Sequence, residues 1–230
     1  MPTVAQQAAE KLSAARAAAA LVRDGDRVGL GTGTTVAHLL PALAARGLSL
    51  RCAATSVATE RAARELGLTV DTLDALFPLD IAIDGTDQVD PDGWLIKGGG
   101  AAHTREKLVA AAAERFVVIA SHEKRVDHLR PPVPLEILAF GVQSTLHALG
   151  QARLRLDTPP SPDGNLIADW WGDVDEPAEL AARLSAQPGV VEHGLFPPEM
   201  VSEVLIAYGR ERVLRLVPGQ AAELLTDVSS

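Results

Sequence analysis

The chain has 230 residues, of which 47% are hydrophobic and 22% charged, and its formal net charge is −9. That composition is enough for one or two folded domains with a real core. The basic residues are scattered, which argues against nucleic acid as a partner, because nucleic-acid binding depends on clustered Lys and Arg. Cys52 is the single cysteine, so nothing indicates an oxidising compartment.

The N-terminal residues alternate acids, bases and alanines and predict an amphipathic helix rather than a signal peptide. No apolar run approaches the roughly 20 residues that cross a bilayer, so we expect no contact with membranes. Together with the cysteine count, these observations predict a cytoplasmic protein.

The first half of the chain alternates helices and strands. In chain order we predict helix 4–22, strand 27–30, helix 36–46, strand 50–54, helix 59–66, strands 69–73 and 81–83, helix 104–114 and strand 116–120. This alternation predicts an α/β fold with a doubly wound, mostly parallel (Rossmann-like) sheet. Ligands of such sheets lie beyond the carboxyl ends of the strands.

The pattern changes around Arg130-Pro131-Pro132. There we predict strand 133–140, helix 143–149, strands 153–157 and 166–170, helix 176–186 and strand 190–196, which is the β-α-β-β-α-β order of a ferredoxin-like unit. Strands 203–208 and 212–217 are expected to return to the main sheet. We therefore predict a Rossmann-like catalytic domain of residues 1–129 plus 205–230, with a smaller α+β domain of residues 130–204 inserted before the C-terminal strands.

A glycine-rich loop, Gly29-Leu30-Gly31-Thr32-Gly33-Thr34-Thr35, follows the first strand and leads into a helix. Helix N-termini offer free N–H groups to anions. The spacing is G-x-G-x-G rather than the G-x-G-x-x-G of dinucleotide sites, and no lysine follows as in a P-loop. The threonine hydroxyls suit a phosphate monoester, although a tight turn with an N-capping threonine is the simpler alternative.

A second polar loop, Thr55-Ser56-Val57-Ala58-Thr59, ends the second strand. Its hydroxyls could contact the same ligand as the glycine-rich loop. They could also cap the next helix, since Ser and Thr are favoured N-cap residues, and we favour capping alone.

The stretch from Asp84 to Lys107 carries most of the functional information. Asp84 and Asp87 follow a short apolar strand, Lys97 precedes three glycines, and Glu106 lies on the next predicted helix. Glycine triplets are unfavourable in helices and strands, so one after a lysine suggests backbone N–H groups held against an anion. Carboxylates, an ammonium and bare amides packed this closely predict proton transfer on a negatively charged small molecule.

Several other kinds of site fit this stretch poorly. An EF-hand frame would put Gln88 at its first ligand position and Gly99 at the place of the bidentate glutamate. The six histidines show no zinc-binding spacing, and no serine lies in a G-x-S-x-G elbow. Magnesium held by Asp84 and Asp87 is compatible with the spacing and stays open.

The segments G-x-G-T-G-T-T, T-S-x-x-T, D-G-x-D and K-G-G-G-A-x-x-x-E-K, in this order, resemble the ribose-5-phosphate isomerase A family. The resemblance covers nearly the whole chain and is densest up to about Asp127. It implies interconversion of D-ribose 5-phosphate and D-ribulose 5-phosphate, in the non-oxidative branch of the pentose phosphate pathway, without a metal or organic cofactor. It also implies substrate contacts for Lys11, Thr32, Gly33, Thr34, Thr35, Asp84, Gly85, Thr86, Asp87, Lys97, Gly98, Gly99, Gly100 and Lys124.

The implied chemistry suits those residue types. One carboxylate, assigned by the resemblance to Glu106, would move a proton between C2 and C1 of a planar cis-enediolate. Lys97 and the glycine amides would stabilise the enediolate oxygen. Asp84 or Asp87 would open the sugar ring, and the sequence does not divide that role between them.

The chain departs from the family pattern at Gln88, where the family usually has glutamate. The smaller domain normally supports subunit contacts in the family, so we expect a homodimer or homotetramer. Trp170 and Trp171 are candidates for that interface, although core positions are commoner for large aromatics on a strand. The alternatives to an isomerase of this type are a non-catalytic sugar-phosphate sensor and a related sugar-phosphate isomerase/deaminase. The presence of Glu106 favours the isomerase.

Overall fold

The computed structural model describes residues 3–210 and 212–225. In chain order its helices are α1 Val4–Ala20, α2 Val36–Ala44, α3 Val57–Glu65, α4 Leu73–Leu76, α5 His103–Ala111, α6 Val142–Leu149 and α7 Pro177–Ser185. Its strands are β1 Arg27–Leu30, β2 Arg51–Ala54, β3 Thr69–Asp71, β4 Ile81–Gly85, β5 Gln88–Val89, β6 Leu95–Ile96, β7 Phe116–Ser121, β8 Val133–Ile137, β9 Ala152–Leu154, β10 Leu166–Trp170, β11 Val190–His193, β12 Leu195–Phe196, β13 Glu203–Tyr208, β14 Arg212–Leu216 and β15 Glu223–Leu225. Short 3₁₀ turns lie at His122–Lys124 and Pro198–Met200.

The main sheet has the order β15-β14-β13-β7-β4-β1-β2-β3. Its strands run parallel from β3 to β13, and β14 and β15 are antiparallel additions. Strand β7 lies at its centre and is buried at every position, as its continuous apolar run predicts. The predicted Rossmann-like sheet, with strands β13 and β14 returning to it, is therefore confirmed.

Apolar side chains cover both faces of this sheet. On one face, Leu39 and Leu43 of α2 pack with the alanines of α1 against the sheet. On the other, Val109 of α5 packs with Phe116 and Phe196. Burial of α2 and α5 fixes the loops that precede these two helices at the carboxyl ends of the strands.

The second sheet has the order β11-β8-β10-β9, and all of its pairs are antiparallel. With α6 and α7 this is the order of a ferredoxin-like unit, so that prediction is confirmed. Trp170 is only 4% exposed and belongs to the core of this unit, whereas Trp171 is 49% exposed.

A third, three-stranded sheet was not predicted. It joins β5 and β6 to β12, which follows about a hundred residues later in the chain. The single predicted strand 190–196 is wrong, because it breaks at Gly194 into β11 and β12. Gly194 accepts a hydrogen bond from Lys97 N–H (2.8 Å) and donates to Pro134 O (2.7 Å), and a Cβ there would lie 2.1 Å from Lys97 O.

The division into residues 1–129 plus 205–230 and residues 130–204 stays a prediction. Residues 1–2, 211 and 226–230 of that division lie outside the described part of the chain. Within residues 3–210 and 212–225, the helices are all too short or too polar to cross a bilayer.

Candidate active site

A polar cleft opens beyond the carboxyl ends of β1 and β4, where the fold predicts a ligand site. Its lining residues are Lys11, Thr32, Gly33, Thr34, Thr35, Gly85, Thr86, Asp87, Lys97, Gly98, Gly99, Gly100, Glu106 and Lys124. The remaining predicted site residue, Asp84, is buried directly beneath and contacts both Lys97 and Thr32. The structure thus brings every predicted site residue to one place.

Three buried ionisable side chains form the floor of the cleft. Lys97 Nζ lies 2.8 Å from Asp84 Oδ2 and 3.2 Å from Glu106 Oε2, and all three side chains are no more than 4% exposed. Strand β6 delivers Lys97, strand β4 delivers Asp84, and the first turn of α5 delivers Glu106. One cation therefore faces two carboxylates.

Asp84 is the better bound of the two carboxylates. Its Oδ1 accepts hydrogen bonds from Gly85 N–H at 2.7 Å and Thr32 N–H at 3.1 Å, in addition to the ion pair with Lys97. A Cβ at Gly31 would lie 1.9 Å from Asp84 Cγ, so the glycine leaves the space that the carboxylate occupies. Asp84 thereby fixes both the lysine and the glycine-rich loop.

Glu106 has the environment of a base. Burial and the nearby charge of Asp84 raise its pKa from 4.5 to about 8, although Lys97 acts in the opposite direction. The dipole at the start of α5 favours the carboxylate as well, but a helix terminus is worth only about 0.3–1 kcal/mol and does not outweigh burial. Burial alone would lower the pKa of Lys97, yet the two carboxylates hold that pKa above its usual value.

Asp87 stands at the edge of the cleft and is partly exposed. Its Oδ2 accepts a hydrogen bond from Gly99 N–H at 2.8 Å, and a Cβ at Gly99 would lie 2.9 Å from Asp87 Oδ1. The neighbouring Thr86 hydroxyl donates to Gln88 O at 2.7 Å and Ile96 O at 2.9 Å, which fixes the turn. Asp87 thus differs from Asp84 in facing the solvent side of the site.

Two lysines stand at the opposite end of the cleft, by the threonine loop. Lys11 Nζ of α1 donates to Thr34 Oγ1 at 2.9 Å, and Lys124 comes from the 3₁₀ turn after β7. Thr35 occupies the N-cap position of α2 but its side chain makes no capping hydrogen bond, so the simpler alternative of a capping threonine does not describe it. This end offers cations, hydroxyls and backbone N–H groups to an anion.

The second polar loop acts as a support. Ser56 caps α3 by accepting from Thr59 N–H at 3.1 Å, as favoured from the sequence. The Thr32 hydroxyl also lies within 2.8 Å of the Thr55 and Ser56 hydroxyls and 3.2 Å from that of Thr59. These residues hold Thr32 without lining the cleft, and the T-S-x-x-T spacing was their one sequence signal.

The ammonium of Lys97 bears on the magnesium alternative. In that alternative Asp84 and Asp87 hold the ion, but Asp84 Oδ2 is paired with Lys97 Nζ at 2.8 Å and its Oδ1 accepts from Thr32 and Gly85 N–H. No group of three or more potential metal ligands of the His, Cys, Asp or Glu type occurs in the part of the chain that the structure describes.

Sequence comparisons with known proteins agree on one family. Residues 51–211 match the family model of ribose 5-phosphate isomerase A (phosphoriboisomerase A). Ribose-5-phosphate isomerase A of Caulobacter vibrioides is 43% identical over 224 residues, 91% of this chain and 98% of the relative. That of Natronomonas pharaonis is 47% identical over 211 residues, 86% of this chain and 92% of the relative.

Solved structures of ribose-5-phosphate isomerases superpose on most of the chain. Ribose 5 phosphate isomerase A from Neisseria gonorrhoeae superposes with a TM-score of 0.87 at 30% identity, covering 93% of this chain and 98% of that one. A D-ribose-5-phosphate isomerase in complex with phospho-erythronic acid superposes with a TM-score of 0.81 at 30% identity, covering 95% of this chain and 98% of that one.

Proposed function

The chain belongs to the ribose-5-phosphate isomerase A family, and we propose that its cleft interconverts D-ribose 5-phosphate and D-ribulose 5-phosphate through a cis-enediolate. The observation that carries this proposal is the buried lysine between two carboxylates, with a glutamate pKa of about 8, at the floor of a cleft whose other end is cationic. A sensor has no need of a buried base.

The phosphate group occupies the threonine end of the cleft. Lys11 and Lys124 supply positive charge there, and the loop from Thr32 to Thr35 supplies hydroxyls and N–H groups at the start of α2. Binding at this end is remote from the reacting carbons. It therefore fixes their position over Glu106 without taking part in the bond changes.

Glu106 transfers the carbon-bound proton. Its carboxylate takes the proton from C2 of the open-chain aldose; the electrons of that bond form the C1=C2 double bond, and the carbonyl π electrons move to the oxygen at C1. A proton then passes from the C2 hydroxyl to that oxygen, and Glu106 returns its own proton to C1. The product is the 2-ketose, and Glu106 is a carboxylate again.

Lys97 and the glycine amides stabilise the enediolate. Lys97 keeps its proton because Asp84 and Glu106 raise its pKa, so it presents a fixed positive charge at the floor of the cleft. One such donor typically lowers the barrier by about 3–4 kcal/mol. Asp84 holds this lysine in place and contributes through it.

Asp87 is the better candidate for opening the ring. Asp84 is buried and its oxygens are engaged by Lys97, Thr32 and Gly85. Asp87 lines the cleft and is partly exposed, so it can exchange protons with a ring oxygen and with water. We therefore assign the acid/base role in ring opening to Asp87.

Proton NMR of ribose 5-phosphate in D₂O, with EDTA-treated protein, tests the proposed reaction. We expect signals of ribulose 5-phosphate and solvent deuterium at C1 or C2, because proton transfer through Glu106 needs no metal. Saturable binding without ketose or exchange would instead identify a sugar-phosphate sensor. Activity lost to EDTA and restored by magnesium would contradict the roles given to the aspartates.

We also propose a homodimer or homotetramer in the cytoplasm, where charged pentose phosphates are retained. Phe140 is 94% exposed and Leu138 46% exposed, both just after β8 of the ferredoxin-like unit, which suits a covered apolar surface. Light scattering after size exclusion gives the assembly, and Phe140→Asp should reduce its mass. A monomeric wild-type protein would contradict the proposal.

A further inference from the structure

A guanidinium from the ferredoxin-like unit is bound to the glycine loop, residues 98–101. Arg155, which follows β9, donates from Nη1 to Gly98 O at 3.1 Å and to Gly99 O at 3.2 Å. Its Nε and Nη2 donate to the two oxygens of Asp169 at 2.8 and 2.6 Å. The Arg155 and Asp169 side chains are 17% and 15% exposed. Asp169 therefore holds one edge of the guanidinium while Nη1 is left for the loop.

These bonds determine where the loop's N–H groups point. In a trans peptide the C=O and the following N–H point in opposite directions. Gly98 O shares a peptide unit with Gly99 N–H, and Gly99 O shares one with Gly100 N–H. Because both carbonyls converge on Arg155, both N–H groups face away from it. Gly99 N–H does reach Asp87 in the cleft, at 2.8 Å.

The glycine loop needs such an external restraint. Three consecutive glycines are the most permissive backbone a chain can have, and Gly98 and Ala101 both have positive φ, +104° and +61°. Within the loop, one hydrogen bond, from Ala101 N–H to Gly98 O at 3.0 Å, closes the turn. That bond restrains Gly98 O alone, so without Arg155 the peptide unit of Gly99 O and Gly100 N–H could rotate away from the cleft.

We propose that Arg155, held by Asp169, is a positioning residue for the isomerisation, which orients Gly100 N–H toward the oxygens of the enediolate and Gly99 N–H toward Asp87. The inference rests on the proposed function. Arg155 is not among the residues that line the cleft and acts through the loop alone. Lysine is a poor substitute, because it lacks the planar fork that binds Asp169 and the carbonyls together.

The test compares Arg155→Met, Arg155→Lys and Asp169→Asn with the wild-type protein. For each we would measure kcat and KM for ribose 5-phosphate, and the dissociation constants of phospho-erythronic acid and inorganic phosphate by calorimetry. Phospho-erythronic acid carries a carboxylate where the enediolate oxygens develop, whereas phosphate probes only the far end. In Arg155→Met we expect kcat to fall about tenfold or more, since single oxyanion donors are worth 10²–10³-fold.

The binding of the two ligands should respond differently to the substitution. Phospho-erythronic acid should bind about tenfold more weakly to Arg155→Met, and inorganic phosphate should change by less than about twofold. Arg155→Lys and Asp169→Asn should show smaller losses of the same pattern, and they carry the test if Arg155→Met does not fold by circular dichroism. Equal weakening of both ligands, or a kcat within twofold of wild type, would overturn the inference.

A matched control is present in the chain. Arg105 donates from Nε and Nη2 to Asp163 with the same two-bond geometry, at 2.9 and 2.7 Å, and makes no bond to the glycine loop. Asp163→Asn should therefore leave kcat within about twofold of wild type. If the wild-type protein binds phospho-erythronic acid but does not isomerise, the proposed function fails while the two dissociation constants still test the positioning role.

Discussion

Glu106 is the residue on which the proposed reaction depends most directly. Glu106→Gln keeps the size and polarity of the side chain but removes the base, so kcat should fall by about 10³-fold or more. The dissociation constant of inorganic phosphate should be unchanged, because Lys11 and Lys124 lie at the other end of the cleft. Steady-state kinetics and calorimetry check both. A variant with near-normal kcat would exclude Glu106 as the base.

The pKa of Glu106 gives a separate prediction for the wild-type enzyme. Burial and Asp84 raise that pKa to about 8, and only the carboxylate can take the C2 proton. The value of kcat/KM, which reports on the free enzyme, should therefore rise with pH to a midpoint near 8 and level off above it. A midpoint below pH 6 would show that Glu106 is not raised by its surroundings.

At the scale of elements, Gln88 of β5 connects its strand to the start of the ferredoxin-like unit. Its amide nitrogen donates to Arg130 O at 2.7 Å, and its amide oxygen accepts from Arg130 N–H at 2.8 Å. A glutamate could accept the second bond but, when ionised, not donate the first. The glutamine thus fixes the chain just before β8, where the ferredoxin-like unit begins, beside Asp87.

Gln88→Glu should therefore destabilise the protein by about 1 kcal/mol at pH 7, the usual net value of one hydrogen bond. Urea unfolding followed by circular dichroism measures the change. Gln143→Glu, on an exposed position in the first turn of α6, makes the same chemical change without a comparable partner and should stay within about 0.5 kcal/mol of wild type. Equal stability of Gln88→Glu and wild type would show that the paired bonds contribute nothing.

Some of the strands could be predicted from the sequence and others could not. Strands whose apolar residues are mostly buried, such as Phe116–Ser121 and Leu166–Trp170, were predicted within a residue of their ends. The two-residue strands Gln88–Val89 and Leu95–Ile96 were missed, because too few residues show no periodicity and their partner strand is distant in sequence. Such pairings are decided by tertiary contacts.

In the candidate site, too, some residues could be predicted from the sequence and others are placed only by tertiary contacts. Asp84, Lys97 and Glu106 stand in one local stretch whose residue types already indicate proton transfer. Arg155 and Asp169 were not predicted, because Arg155 binds backbone carbonyls 56 and 57 residues away. A carbonyl oxygen is present at every position, so it leaves no mark in the sequence.

At the scale of the whole molecule, the buried charges lie where the three sheets meet. Lys97 N–H is bonded to Gly194 O, between β11 and β12, while its side chain faces Asp84 of the main sheet. With two carboxyl groups and one ammonium in this interior, Glu106 lacks a full counter-charge whenever it is ionised. Function and stability therefore oppose each other at Glu106.

The raised pKa of Glu106 predicts how the stability of the protein depends on pH. The folded-state pKa of Glu106 is about 8 against 4.5 for an ordinary glutamate, so between these values the folded protein holds a proton that the unfolded chain has released. The contribution of Glu106 to the free energy of unfolding is therefore fully present below pH 4.5 and is lost as the pH rises through 8.

Glu106→Gln does not titrate and so does not undergo this loss. The stability of the variant minus that of wild type should therefore be larger at pH 8.5 than at pH 5. Urea unfolding of both proteins at the two pH values measures it, with the exposed Glu179→Gln as control. A wild-type-to-variant difference that is the same at both pH values would mean that Glu106 is ionised in the folded protein throughout this range.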